Sequence, residues 1–144
     1  MKNAIKEFTD DYRWLSNFYL CPIHYEGKLY KSVEYAYLSA KSADAEWKEM
    51  CQLAEEKPSK LKRMSRFMDM RADWESIKIE VMRICLAQKF NQEPFKTQLI
   101  ETGDCYIQEG NNWGDAFWGV HLKSEQGENN LGKLIMEIRA QLLT

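Results

Sequence analysis

Two residues able to do bond-breaking chemistry, Glu34 and Lys41, lie seven positions apart in Ser32-Val33-Glu34-Tyr35-Ala36-Tyr37-Leu38-Ser39-Ala40-Lys41. On a helix this spacing puts both on one face, about 10 Å apart along the axis. That is too far for a direct ion pair but suited to two groups that reach one ligand. A carboxyl group can give or take a proton, and a lysine whose charge is disfavoured by burial is a usable nucleophile or base. The residues between them carry no charge, which points to partial burial. Spacing alone fits two ordinary surface charges at least as well.

A second candidate is Glu109-Gly110-Asn111-Asn112-Trp113-Gly114-Asp115-Ala116-Phe117-Trp118-Gly119, dense in polar and aromatic side chains. A carboxylate among aromatics and glycines suits a pocket where a base stacks and the acid meets a sugar. An aromatic loop packed on the core reads the same way. Other motifs fall short. Gly127-Glu128-Asn129-Asn130-Leu131-Gly132-Lys133-Leu134 approaches a P-loop, but Leu134 stands where magnesium needs Ser or Thr, and Glu128 adds charge of the wrong sign. The loop could still present helix N–H groups to a phosphate, or be a plain helix entry. His24 and His121 are the only histidines; Cys21 and His24 have ligand-like spacing but no second pair, so no metal site or cofactor is expected.

These groups need a scaffold, and local patterns supply one. Pro22–Tyr25 and Lys28–Tyr30 flank Glu26-Gly27, a hairpin signal. Ser32 caps a helix to about Lys41, Asp44 caps a second through Trp47, Met50 and Leu53, and Pro58 opens a third. The longest is predicted from the cap Asp73 to about Asn91, with Trp74, Ile77, Val81, Ile84 or Cys85, and Gln88 or Lys89 in helical register. Pro94 opens another that Gly103 ends, Tyr106-Ile107 reads as a short strand, and the last helix spans roughly Asn130 to Leu142. The fold class is α+β, mostly α-helical, with a small β-sheet or hairpin, and residues 1–144 are expected to form one compact domain.

Composition narrows the function classes. Hydrophobic residues at 44% and charged residues at 29% suit a globular chain, and the net charge of −2 argues against a protein built to coat nucleic acid. The basic run Lys57-Pro58-Ser59-Lys60-Leu61-Lys62-Arg63 reads as a solvated helix face or, less simply, a phosphate contact. Cys21, Cys51, Cys85 and Cys105 form no Cys-x-x-Cys pair. With no signal-like or membrane-spanning apolar run, a reduced, cytoplasmic, membrane-free protein is expected. Aromatics at 12%, including five Trp and seven Tyr, suggest a pocket that stacks on a flat ligand.

In combination the fragments resemble the YbiA/NADAR family over nearly the whole chain. Tyr12-Arg13-Trp14-Leu15-Ser16-Asn17-Phe18-Tyr19 looks like the family's FLSNF opening, and Ser32 to Lys41 parallels its T-V-E-H-Y-F-Q-A-Q-K helix. Arg71-Ala72-Asp73-Trp74 with Lys78 and Val81-Met82, then Glu109, Asp115, Trp118-Gly119 and Gly127–Gly132, follow in order. Two departures stand out: Tyr35-Ala36-Tyr37 replaces the family's His-Tyr-Phe, and Asn111-Asn112-Trp113-Gly114 occupies a variable stretch. The resemblance implies an N-glycosidase acting on phosphoribosylated intermediates of riboflavin synthesis or on ADP-ribosylated guanine, the latter making modified nucleic acid a conceivable partner beside a small ribosyl molecule. It assigns Glu34, Lys41 and Asp115 to catalysis, and Trp74, Trp118, Gly119, Asn17 and Asn129 to the substrate. Arg13 and Arg71 are the candidates for phosphate, since a guanidinium grips two oxygens at once. A module that binds ADP-ribose or a nucleotide without turnover is the alternative. Oligomeric state is open.

Overall fold

The computed structural model describes residues 3–144. In chain order the elements are β1 (Ala4–Ile5), a 3₁₀ helix (Asp10–Leu15), β2 (Ile23–Tyr25), β3 (Lys28–Tyr30), α1 (Val33–Ala40), α2 (Ala45–Leu53), α3 (Pro58–Met64) with a 3₁₀ turn (Ser65–Phe67), α4 (Trp74–Phe90), α5 (Phe95–Glu101), β4 (Tyr106–Ile107), β5 (Gly110–Asn111), β6 (Val120–His121) and α6 (Asn130–Leu142). The mostly helical α+β class is as expected. Packing divides the chain into two compact units: Asn17–Lys89, and the residues through Ser16 together with Phe90–Thr144. Among the described residues no helix is long and apolar enough to cross a membrane.

The Asn17–Lys89 unit is organised around α1. Ser32 caps it by accepting the Tyr35 N–H, and every residue from Val33 to Ala40 is buried. A helix covered on all sides needs no amphipathic stripe, which is why its sequence shows only weak periodicity. The hairpin β2–β3 pairs Ile23 with Tyr30 and Tyr25 with Lys28, and its turn sets Glu26 and Gly27 at φ 47° and 78°. Both values are left-handed, as a two-residue turn matched to strand twist requires. The backbone N–H of His24 donates to Gln88 Oε1 at 2.8 Å and ties the hairpin to α4.

Asp44 caps α2 by accepting the Glu46 and Trp47 N–H groups, and the Trp47 indole donates to the Leu38 carbonyl at 2.8 Å. The inward stripe of α2 is Trp47 and Cys51, while Met50 and Leu53 face outward. On α4 the buried stripe runs through Trp74, Val81, Met82, Cys85, Leu86 and Lys89; Cys85 rather than Ile84 takes the inward place. The lysine in the last turn is fully buried, an outcome that helical register left open between Gln88 and Lys89.

In the other unit α6 buries Leu131, Leu134, Ile135 and Ile138. Each such side chain contributes about 1.5–3 kcal/mol over leaving it in water. Parallel pairs join β1 to β4 and β5 to β6, so the β structure consists of three two-stranded pieces rather than one small sheet. Trp14 meets Phe90 edge-on at 6.4 Å, and Arg139 donates to the Thr102 hydroxyl at 2.8 Å.

Candidate active site

Glu34 occupies the first turn of α1 and Lys41 its C-cap, so the helix presents both as the spacing required. Glu34 is 6% exposed, on a helix whose neighbours are all buried. A carboxylate there loses much of its hydration and needs compensating partners. Its backbone N–H donates to the Asn17 carbonyl at 3.1 Å, fixing Asn17 over the start of the helix. Asn17 is itself 8% exposed; its Nδ2 donates to the Met82 sulfur at 3.5 Å, and its Oδ1 is buried with no hydrogen-bond partner. An acceptor left in that condition costs about 1–3 kcal/mol. Recovering that cost on binding a donor is a property expected of a ligand contact.

The Lys41 ammonium is half-buried. It donates to the Ser65 hydroxyl at 3.4 Å and lies 5.6 Å from the centre of the Tyr37 ring. The Tyr37 ring in turn meets Trp74 at 5.1 Å, tilted by 56°, and Trp74, assigned to the substrate by the resemblance, is buried at 3% exposure beneath it. Burial lowers the proton affinity of Lys41 below the ordinary lysine value; the Glu34 charge opposes this, and Lys62, Arg66 and Lys78 push further down. A lysine so placed has more of the neutral, nucleophilic form than one in water.

Of the phosphate candidates, Arg71 is close to this cluster: its backbone N–H donates to the Lys41 carbonyl at 2.9 Å. Its guanidinium is already engaged, however, with Nε on Asp73 Oδ1 at 2.8 Å and Nη2 on Asp73 Oδ2 at 3.0 Å. Arg13 is exposed on the 3₁₀ helix Asp10–Leu15 of the other unit.

Asp115, Trp118, Gly119 and Asn129 also lie in that second unit, where they build one another's backbone geometry. Asp115 Oδ1 accepts the N–H groups of Phe117 and Trp118 at 3.1 and 2.9 Å. Asn111, 1% exposed, donates to Glu109 Oε2 and to the Asp115 carbonyl and accepts the Asp115 N–H. Asn129 accepts the Glu109 N–H at 3.0 Å and donates to the Ile107 carbonyl at 3.0 Å, all from a left-handed φ of 52°. Gly119 is fixed by close approach, because a Cβ there would fall 2.2 Å from the Glu109 carbonyl oxygen. Trp118 is half-buried and packs edge-on against Phe117 at 4.9 Å, while Trp113 is 68% exposed.

Two contributors are not singled out by the sequence, Ser65 and Tyr37, which hold the Lys41 amine. Tyr37 was visible only as an apolar position. Lys89 was signalled by the break in apolar periodicity at the end of α4. Burial lowers its pKa to about 7, partly offset by Cys21, and its amine lies 6.0 Å from the centre of the Tyr19 ring.

Comparison with known proteins agrees over the full length. The NADAR domain model matches residues 5–143. N-glycosidase YbiA of Escherichia coli (strain K12) is 34% identical over 148 residues, covering 99% of this chain and 91% of that protein. N-glycosidase Npun_R5314 of Nostoc punctiforme is 31% identical over 137 residues, covering 91% of this chain and 86% of its own. Riboflavin biosynthesis protein VVA0006 of Vibrio vulnificus is 33% identical over 138 residues; they make up 94% of this chain but 37% of that longer protein. The NMR structure of E. coli YbiA is similar with a TM-score of 0.84 at 32% identity, covering 99% of this chain and 87% of the other.

Proposed function

The chain belongs to the NADAR family, and on that premise we propose that it is an N-glycosidase cutting the bond between a base and a phosphoribosyl or ADP-ribosyl group. The observation that carries this reading is the half-buried Lys41 amine, lowered in proton affinity and set on the same helix as the buried Glu34.

In the mechanism we propose, the neutral Lys41 amine attacks the anomeric carbon. The carbon–nitrogen bond to the base breaks, and the base leaves with the electron pair and a proton from Glu34. The resulting carboxylate takes up the proton shed by the attacking amine. The nitrogen lone pair then opens the sugar ring, the ring oxygen gaining a proton, and an imine joins Lys41 to the sugar. Water adds to the imine carbon and releases the free sugar and the amine, so one water is consumed per turnover. The Tyr37 ring, itself buried and packed on the buried Trp74, backs the amine from the core side.

Chromatography of products is the test, with a phosphoribosylamino-pyrimidine and ADP-ribosylated guanosine as parallel substrates beside Glu34→Ala. Release of ribose 5-phosphate or ADP-ribose by the native protein, and none by the variant, is expected and selects the substrate class. Borohydride should trap a covalent adduct at Lys41; an active Lys41→Ala with no adduct would instead favour water activated by Glu34. Binding without cleavage of either compound would leave a nucleotide-binding module.

A further inference from the structure

In the basic run Lys57–Arg63, Lys57, Lys60 and Arg63 are exposed, as a solvated face requires, and Lys62 alone among its cations is half-buried. Lys60 points outward and pairs with Glu56 at 3.0 Å, as a surface lysine does. Lys62, two residues on, is half-buried in the last turn of α3 and close enough for its charge to act on the Lys41 amine. Arg66 follows four residues later in the 3₁₀ turn that continues α3, and its charge also reaches that amine. Residues four apart on a helical path share a face. Ser65 sits between them, its hydroxyl donating to the Lys62 carbonyl at 2.6 Å while accepting from Lys41 at 3.4 Å. Lys78 closes the group from α4.

Three further cations, Lys62, Arg66 and Lys78, therefore act on the Lys41 amine, and of the three only Lys78 has a carboxylate in ion-pair reach among the described residues, Glu75 at 2.8 Å. Among the described residues neither Lys62 nor Arg66 makes an ion pair. Glu34 supplies one opposing charge. Gathering like charges costs Coulomb energy that a bound anion would recover. The amine's hydrogen bond to the protein is the 3.4 Å contact with Ser65, which sets it beside the Lys62–Arg66 turn. The guanidinium earlier assigned to phosphate, that of Arg71, has its fork filled by Asp73, whereas Arg66 has its fork open.

We propose that Lys62 and Arg66, completed by Lys78 and the Ser65 hydroxyl, form a phosphate-binding cradle beside Lys41 that holds the phosphate of the ribosyl substrate. The proposal rests on the N-glycosidase reading for the sugar and adds the group that anchors it. Arg66 takes two phosphate oxygens through its fork, and Lys62 neutralises the remaining charge as a point cation. The phosphate belongs either to a sugar monophosphate or to the diphosphate of ADP-ribose.

Calorimetric titration of the full chain tests it with ribose 5-phosphate, ribose, inorganic phosphate and ADP-ribose as probes. The native protein should bind ribose 5-phosphate or ADP-ribose at least about tenfold more tightly than ribose, with affinity falling as salt rises. Arg66→Met, at an exposed position that leaves the fold intact, should lose about tenfold, and Lys62→Met/Arg66→Met more, with ribose binding unaltered. Lys60→Met should bind as the native protein does. Whichever phosphorylated probe loses more in the double variant identifies the source. Equal affinity for ribose and its phosphate, or an unaltered double variant, would overturn the cradle. Equal cleavage of a nucleoside and its 5′-phosphate would remove the cradle and leave the glycosidase, whereas cradle-dependent binding without cleavage would do the reverse.

Discussion

The α1 cluster and the Glu109–Asn130 loop hold similar polar residues and differ in what those residues have left to offer. In the loop Asn111, Asp115 and Asn129 spend their hydrogen bonds on neighbouring backbone, and Gly119 leaves no room for a Cβ. Around α1 the Asn17 Oδ1 is buried without a partner, Lys41 donates to Ser65 at 3.4 Å, and among the described residues neither Lys62 nor Arg66 makes an ion pair. Saturated polar groups determine a backbone path; unsaturated ones wait for a ligand. Counting which groups are spent separates the two regions better than residue type, which is alike in both.

The contrast can be broken most sharply at Lys41. Lys41→Met should reduce single-turnover cleavage by about 10⁴-fold while the melting temperature stays near the native value, as expected where an unsatisfied side chain is removed. Cleavage at the native rate would dissolve the distinction. Glu34→Gln should lose about 10²–10³-fold in kcat, the scale of general acid–base assistance. Substrate affinity measured beside it should change far less.

In the loop the expected signature is the opposite. Asn111→Ala removes three hydrogen bonds from a buried side chain and should cost about 2–4 kcal/mol in denaturant unfolding. Asp115→Ala should cost about 1–3 kcal/mol. Asp115→Asn keeps an oxygen for the Phe117 and Trp118 N–H groups and should unfold like the native chain. A large fall in kcat/KM in Asp115→Asn at unchanged stability would move Asp115 from scaffold to substrate.

A separate effect is a pH slope. Burial holds Lys89 at about 7, against an ordinary lysine value of 10.5. Below the ordinary value the unfolded chain takes a proton that the folded chain refuses until near 7. Stability from this group therefore rises with pH between those values and is lowest below them. Denaturant midpoints measured from pH 7 to 10 should climb in the native chain, and Lys89→Met should flatten the climb. The cleavage rate should likewise increase with pH through the lowered Lys41 value, and Lys62→Met/Arg66→Met should move that limb to higher pH.

Much of the scaffold was legible because it is set by neighbours along the chain. Ser32 and Asp44 at helix starts, the Glu26-Gly27 turn, Gly103 past the end of α5 and the apolar stripe of α6 act within a few residues of themselves. The placement of Glu34 and Lys41 on one helix follows from the same 3.6-residue period. Sequence therefore determined the helices and the hairpin, the placement of Glu34 and Lys41 on one helix, and the family to which the chain belongs, but not β1, β5 or β6.

Tertiary structure decided which of those groups are available. That Asp73 fills the Arg71 fork, that Lys62 turns inward while Lys60 meets Glu56, and that Lys89 is buried outright depend on which elements pack over each side chain. The parallel pairing of Ala4–Ile5 with Tyr106–Ile107 has the same origin, since its partners meet only after the chain between them has folded. A dihedral preference acts over one turn of chain, whereas desolvation and Coulomb terms are summed over whatever the fold brings near. The lowered proton affinity of Lys41 is therefore a product of its surroundings.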